Sequence, residues 1–198
     1  MARKNKSLIR KKEILECFYQ VIDQEGLEGA SFAKIAKLME VNPSLLIHYF
    51  SNKEEMIIAM VDWLIERYQG DYMEKIEAIE DPKERLRFVI YGIFSKEWIT
   101  LVDNNVFYAF YCQTYRNEHI RKRFQHMYAL FKHFLLDELK LCQENKVIDP
   151  NLNIDLFAGF LMSVQEGNSY FQGLLKGQIK GKETAEFHIS QIFQLLKI

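Results

Sequence analysis

The sequence predicts an all-α protein, with a small three-helix module at the N-terminus and a larger helical domain behind it. Only three prolines occur in 198 residues, and two follow capping residues, as Asn42-Pro43 and Asp81-Pro82. In that position proline opens a helix instead of breaking one. Apolar residues recur at spacings of three and four through most of the chain. No stretch alternates apolar and polar residues between turn signals as a strand would. With 48% hydrophobic residues, the chain can bury a substantial core.

The first helix is expected over about Ser7 to Gln24, with Ile14, Cys17, Phe18, Val21 and Ile22 on its apolar face and Gly26 as its stop. Ser31 can cap a short second helix carrying Phe32, Ile35, Ala36 and Met39. A break at Glu40-Val41-Asn42 separates it from a third short helix, about Pro43 to Phe50. Ser51 with Glu54, or Asn52 with Glu55, then offers a capping box. The fourth helix that follows carries Ile57, Met60, Val61, Leu64, Ile65, Tyr68, Tyr72, Ile76 and Ile79 on one face and extends toward Glu80. Asp81, Pro82 and Glu84 form the next start signal, and Pro150 lies in a polar connection between two long apolar-periodic stretches. A last helix is expected from Glu183 to Lys197. The domain boundary falls between residues 1–50 and residues 51–198.

Net charge is −1, but Arg3, Lys4, Lys6, Arg10, Lys11 and Lys12 form a basic arm without an acid among them. Such an arm suits a polyanion and equally describes a solvated tail. Only Ser7-Leu8-Ile9 separates its charges, too short for a signal peptide, and no run approaches the ~18 apolar residues of a membrane span. A cytoplasmic protein is expected. Cys17, Cys112 and Cys142 include no Cys-x-x-Cys pair and read as reduced thiols, with a redox-sensing role the alternative. His119, His126 and His133 recur every seven residues. On a helix that spacing is about 10.5 Å, too far for two ligands of one metal ion. No nucleophile elbow or phosphate-cradling glycine loop is present, so neither enzyme chemistry nor a cofactor is expected.

Two short helices joined by a three-residue turn and backed by a longer one make a helix-turn-helix, whose last helix enters the major groove of DNA. Asn42, Ser44, Leu45, Ile47 and His48 are the residues this helix would expose, and Lys6 lies in the basic arm. Residues 7–56 resemble the DNA-binding domain of TetR-type regulators. The resemblance is carried by Gly26, Ser31, Ile35-Ala36, Val41, Leu46, His48-Tyr49-Phe50 and Ser51-Asn52-Lys53-Glu54-Glu55-Met56. It implies phosphate contacts by Ser31, Tyr49 and Lys53, and residues 42–48 facing the groove. Three positions depart from the family pattern: Glu40 and Ser44 stand where glycine is frequent, and Ile47 where tyrosine is common. An acidic residue at Glu40 tolerates a left-handed backbone poorly, at ~1–2 kcal/mol.

Residues 88–134 are dense in aromatics. They form an ordinary core or line a cavity, and tyrosines, which need a partner for the hydroxyl when buried, favour the cavity. Tyr91, Trp98, Phe107, Tyr108, Tyr111, Tyr115, Tyr128 and Phe131 are the candidates, for an apolar ligand or an aromatic-caged cation. The resemblance implies a small-molecule pocket in these middle helices. The apolar residues of 152–175 surround their helix, and the final helix adds more, more than one protomer's side can cover. Phe160, Val164, Phe171, Leu174, Ile189, Phe193 and Leu196 are therefore expected at a homodimer interface. The expected function is a DNA-binding transcription regulator, dimeric on a palindromic operator. Repression and release by a small effector follow from the family resemblance. The alternative is a DNA-bound scaffold whose helical domain binds a protein partner.

Overall fold

A computed structural model describes the backbone of residues 2–69, 71–95 and 104–198, and the side chains of residues 6–64, 66, 73–95 and 104–198. Among them run ten α-helices and no strand. In order they are α1 (Ala2–Gly29), α2 (Phe32–Leu38), α3 (Pro43–Tyr49), α4 (Lys53–Gln69), α5 (Asp71–Glu77) and α6 (Pro82–Ile93). Then come α7 (Asn104–Tyr111), a 3-10 turn (Cys112–Tyr115), α8 (Glu118–Glu144), α9 (Ile154–Leu174) and α10 (Gly181–Leu196). Trp98 lies outside the described residues, as do the side chains of Arg3, Lys4, Ile65, Tyr68 and Tyr72.

The chain forms two compact units. One comprises Met1–Tyr68 and Asn105–Met127, the other Gln69–Asn104 and Tyr128–Ile198. In the first, α2 packs on both α1 and α3. Ile14, Phe18 and Ile22 of α1 are buried, as are Ile35 and Ala36 of α2, Leu46 of α3, Phe50, and Met56 and Met60 of α4. The Phe18 ring also meets that of Phe110 on α7, 6.2 Å between centroids. Helix α1 begins five residues before the expected start near Ser7, so the basic arm is itself helical. It breaks where expected, at Gly26, whose φ of 74° and ψ of 166° are conformations open to glycine. The fourth helix expected to reach Glu80 is described as α4 and α5, on either side of residue 70, which lies outside the described residues, and it ends at Glu77.

The second unit has a core of Leu86, Val89, Ile90 and Ile93 from α6, Leu135 and Leu139 from α8, and Phe157, Ala158 and Leu161 from α9. Ile189, Ile192, Phe193 and Leu196 of α10 complete it. This corrects the sequence expectation for Ile189, Phe193 and Leu196, placed above at a dimer interface: they fill the protomer's own core. Their spacing of three and four marks a buried stripe, and the stripe turns inward because α9 and α6 offer it apolar partners. Outside, α10 shows Phe187 and Leu195 instead, 60% and 58% exposed.

Local signals set the ends of these helices. Asp81 Oδ1 accepts the Glu84 N–H at 2.9 Å, with Pro82 in the first turn of α6, as the motif predicts. The Gln143 amide donates to the carbonyls of Asp149, Pro150 and Leu152 and so holds the α8–α9 connection. Across the core, Arg85 Nε and Nη2 donate to both carboxylate oxygens of Glu138, at 2.7 and 2.6 Å.

Candidate nucleic-acid interface

Ser31 caps α2, its Oγ accepting the Lys34 N–H at 3.4 Å. The turn after α2 brings Glu40 to a φ of 55°, the left-handed region expected for this corner. The Val41 N–H then donates to the Ala36 carbonyl at 2.9 Å and closes the turn. Asn42 Oδ1 starts α3 by accepting from both the amide and the hydroxyl of Ser44, at 2.9 and 2.8 Å. Ser44, where glycine is frequent in relatives, is thus absorbed into the cap.

Helix α3 divides cleanly by face. Leu46 is buried, and the following Phe50 is buried with the Lys11 ammonium 5.1 Å from its ring centroid. Outward, Asn42, Ser44, Ile47 and His48 are exposed, with Leu45 and Tyr49 half-buried beside them. The His48 and Tyr49 rings meet edge to face at 5.2 Å. An open cleft of about 570 Å³ runs between this face and the start of α1, lined by Lys6, Ser7, Ile9, Arg10, Glu13, Leu45, His48 and Tyr49. The structure therefore brings Lys6 of the arm to the exposed side of α3. Arg10 belongs to the basic arm read from the sequence, but its place beside α3, like that of Ile9, does not follow from the arm's charge. A helix begun at residue 2 would have flagged them, because Lys6, Ile9, Arg10 and Glu13 then share one face.

Helix α4 opens with Asn52 as the cap: its Oδ1 accepts the Glu55 N–H at 2.8 Å, and the Glu55 carboxylate accepts the Ser51 N–H at 2.7 Å. This decides between the two capping boxes the sequence offered. Lys53, the first residue of α4, donates from Nζ to the Leu27 carbonyl. Its charge is held beside the end of α1, close to the module's polar surface. Several other basic side chains here are paired: Arg10 with Glu13 at 2.7 Å, Lys12 with Glu66 at 2.9 Å, and Lys34 with Glu25.

The aromatic candidates fall into both units. Phe107, Tyr108, Tyr111 and Tyr115 cluster in the first, where Phe124 joins them with centroids 5.7 Å from Phe107 and 5.9 Å from Tyr111. Tyr115 is 79% exposed, so it edges this cluster and does not lie within it. In the second unit Tyr91 packs on Phe193 at 5.5 Å, Tyr128 donates to the Glu166 carboxylate at 3.1 Å, and Phe131 is half-buried against the core. Of the histidines on α8, His119 Nδ1 lies 3.1 Å from Glu54 Oε1 and His133 Nε2 lies 3.5 Å from Asp137. Hydrogen bonds from Asn117 and His119 hold the Glu54 carboxyl below its ordinary pKa. Among the described residues no helix is long and apolar enough to cross a membrane.

Two family models match this chain. One, for bacterial regulatory proteins of the tetR family, matches residues 14–60, and the other, for the tetracyclin repressor-like C-terminal domain, matches residues 81–198. An HTH-type transcriptional regulator BetI from Rhizobium meliloti is 27% identical over 114 residues, covering 58% of this chain and 56% of that protein. Among solved structures, a transcriptional regulator from Saccharomonospora viridis in complex with choline superposes with a TM-score of 0.82 at 14% identity, over 93% of this chain and 95% of that one. A transcriptional regulator FadR from Bacillus subtilis in complex with stearoyl-CoA gives 0.75 at 18% identity, over 93% and 98%. At these identities the two structures establish likeness of fold.

Proposed function

The chain belongs to the TetR family of helix-turn-helix transcription regulators, and from that premise we infer that it is a cytoplasmic, dimeric repressor released from a palindromic operator by a small ligand. Residues 1–50 act as the DNA-binding domain and residues 51–198 as the effector-binding and dimerisation domain. The observation that carries the DNA-binding part is the cleft where Lys6 and Arg10 of a helical basic arm stand beside Leu45, His48 and Tyr49 of α3. A basic helix supplies phosphate attraction while the neighbouring helix presents side chains to base edges.

In this reading Asn42, Ser44, Leu45, Ile47 and His48 face the groove, and Lys6, Ser31, Tyr49 and Lys53 meet the backbone. Two protomers joined through exposed apolar residues of α9, among them Phe160, Phe171 and Leu174, present two recognition helices about 34–36 Å apart on successive turns. Neighbours of this fold hold ligands as different as choline and stearoyl-CoA, so fold alone does not select the effector. The aromatic cluster of Phe107, Tyr108, Tyr111 and Phe124 within the first unit favours an apolar body or a cation. The ligand acts by binding the DNA-incompetent state more tightly. A hundredfold loss of operator affinity requires about 2.7 kcal/mol of coupling.

Genome-wide mapping of bound DNA, followed by binding titrations on the recovered sites, tests this. Lys53→Ala should weaken binding to every sequence about equally and reduce the salt slope by roughly one. His48→Ala should instead change the preference among operator variants, by about 1–3 kcal/mol. Recovery of no reproducible site, or binding that ignores both substitutions, overturns the assignment of this face.

A further inference from the structure

Helix α9 carries a polar stripe that neither the DNA-facing cleft nor the aromatic candidates use. Gln165, Asn168 and Ser169 are all buried, at 8%, 4% and 8% exposure, and Gln172 follows within one turn. Spacings of three and four place the four residues on one face, in line with Ala158 and Leu161 of the core. Amides are costly in such a position unless every donor and acceptor is met.

Most of them are. Gln165 Nε2 donates to Ser169 Oγ at 2.9 Å, Gln172 Nε2 donates to Asn168 Oδ1 at 3.1 Å, and Asn104 Nδ2 donates to the Ser169 carbonyl at 3.0 Å. Asn168 Nδ2 is not: it is buried and has no hydrogen-bond partner. Because Gln172 occupies the amide oxygen, the open end of Asn168 is a pure donor. A leucine of similar size would remove the penalty. A donor left unmet in a core calls for an acceptor, and a ligand that arrives from outside can supply one.

We propose that Asn168 is the polar anchor of the effector site, donating from Nδ2 to an uncharged oxygen of the ligand, such as a hydroxyl, ether, ester or amide carbonyl. The proposal rests on the reading of the chain as a ligand-responsive regulator and narrows its ligand class. The charge on the helix favours a neutral oxygen over a carboxylate or phosphate. Helix α9 contains Asp155 and Glu166 and neither lysine nor arginine. Asp155 is paired with Lys132 at 2.9 Å, and Glu166, two residues before Asn168, accepts a hydrogen bond from Tyr128. Helix α9 itself therefore offers an anionic head no cation, whereas a neutral oxygen on an apolar or cationic body needs none.

The test has two arms. Without any ligand, Asn168→Leu should raise the melting temperature by about 2–4 °C; a lowered one would show that Asn168 serves the fold and would overturn the proposal. In the second arm, melting shifts of wild type and Asn168→Ala are measured with choline, which bears a hydroxyl, tetramethylammonium, which bears no oxygen, and glycine betaine, which bears a carboxylate. The same is done with butanol, butyramide and butyrate. The neutral-oxygen probes should stabilise the wild type most, and Asn168→Ala should erase that advantage. Failure of every neutral-oxygen probe to shift the wild type, or an advantage retained in Asn168→Ala, overturns the anchor. The regulator reading is judged separately, with a small-molecule extract of the source cells. If the extract leaves the wild-type operator complex intact, that reading fails. If it releases wild type and Asn168→Ala alike, only the anchor fails.

Discussion

Glu40 occupies the corner of the helix-turn-helix with a φ of 55°, a conformation that places Cβ against the following carbonyl. Relatives of this kind often use glycine at the corner, and here an exposed acidic side chain takes it instead. Glu40→Gly should therefore stabilise the protein by about 1 kcal/mol, somewhat less once the extra freedom of glycine in the unfolded chain is counted. Chemical denaturation of the two proteins reads the difference, and a destabilised glycine variant would mean that the Glu40 side chain makes a contact worth more than the strain. His188 is a second residue whose environment has a measurable consequence. Its Nδ1 is buried without a partner, and burial lowers the imidazole below its ordinary pKa of 6.5. The unfolded chain thus takes up the proton first as pH falls. The neutral ring's contribution to stability is present above about pH 6.5 and is lost as pH drops through that value toward the lower folded one. His188→Leu should flatten this part of the pH–stability curve; a curve that keeps its slope would assign the acid sensitivity to other groups.

At the scale of elements, α6 and α8 are joined by the Arg85–Glu138 pair, whose two hydrogen bonds sit among apolar residues with Glu138 only 4% exposed in its side chain. The bidentate geometry recovers much of the cost of removing both charges from water. Removal of one partner does not. Glu138→Ala should cost about 3–5 kcal/mol, whereas the double change Arg85→Met with Glu138→Leu should restore most of that loss. Equilibrium unfolding of the single and double variants checks it, and additive losses would show that the charges are not coupled. The same cluster accounts for Cys142, whose thiol is pushed up to about 11 by burial and by the Glu138 charge. With its Sγ directed at the Pro82 carbonyl at 3.0 Å, it behaves as a packed hydrophobe.

For the whole molecule the decisive surface belongs to the second unit. Leu156, Phe160, Phe171 and Leu174 of α9 are 71%, 40%, 52% and 60% exposed, with Phe187 and Leu195 of α10 similarly open. Val164 is half-buried. Single exposed apolar residues need no explanation, but this many on two adjacent helices call for a partner. Under the dimer proposed above, Phe171→Glu should yield a 23.6 kDa monomer in sedimentation at micromolar concentration and lower operator affinity with it. A dimer that survives this change would move the interface elsewhere. Phe193→Glu is no test of assembly, because that ring lies in the protomer core and a charge there would unfold the chain.

The helix-turn-helix was legible from the sequence because its signals are local. Gly26 stops a helix by its backbone freedom, Asn42-Pro43 and Asp81-Pro82 start one, and Ile14, Phe18, Ile22, Ile35 and Ala36 mark buried faces by spacing alone. Each of these depends on residues within a turn or two of one another. Periodicity identifies an apolar face but not what covers it. Thus α10 was recognised as a helix while Ile189, Phe193 and Leu196 were assigned to the wrong side of it, since only neighbouring α9 and α6 decide which face turns inward. The polar stripe of α9 was passed over for the same reason. Gln165, Asn168, Ser169 and Gln172 stand at helical spacing in the sequence, where amides usually mark a solvated face. Only packing in three dimensions buries Gln165, Asn168 and Ser169, and only their hydrogen bonds single out the Asn168 donor left unmet.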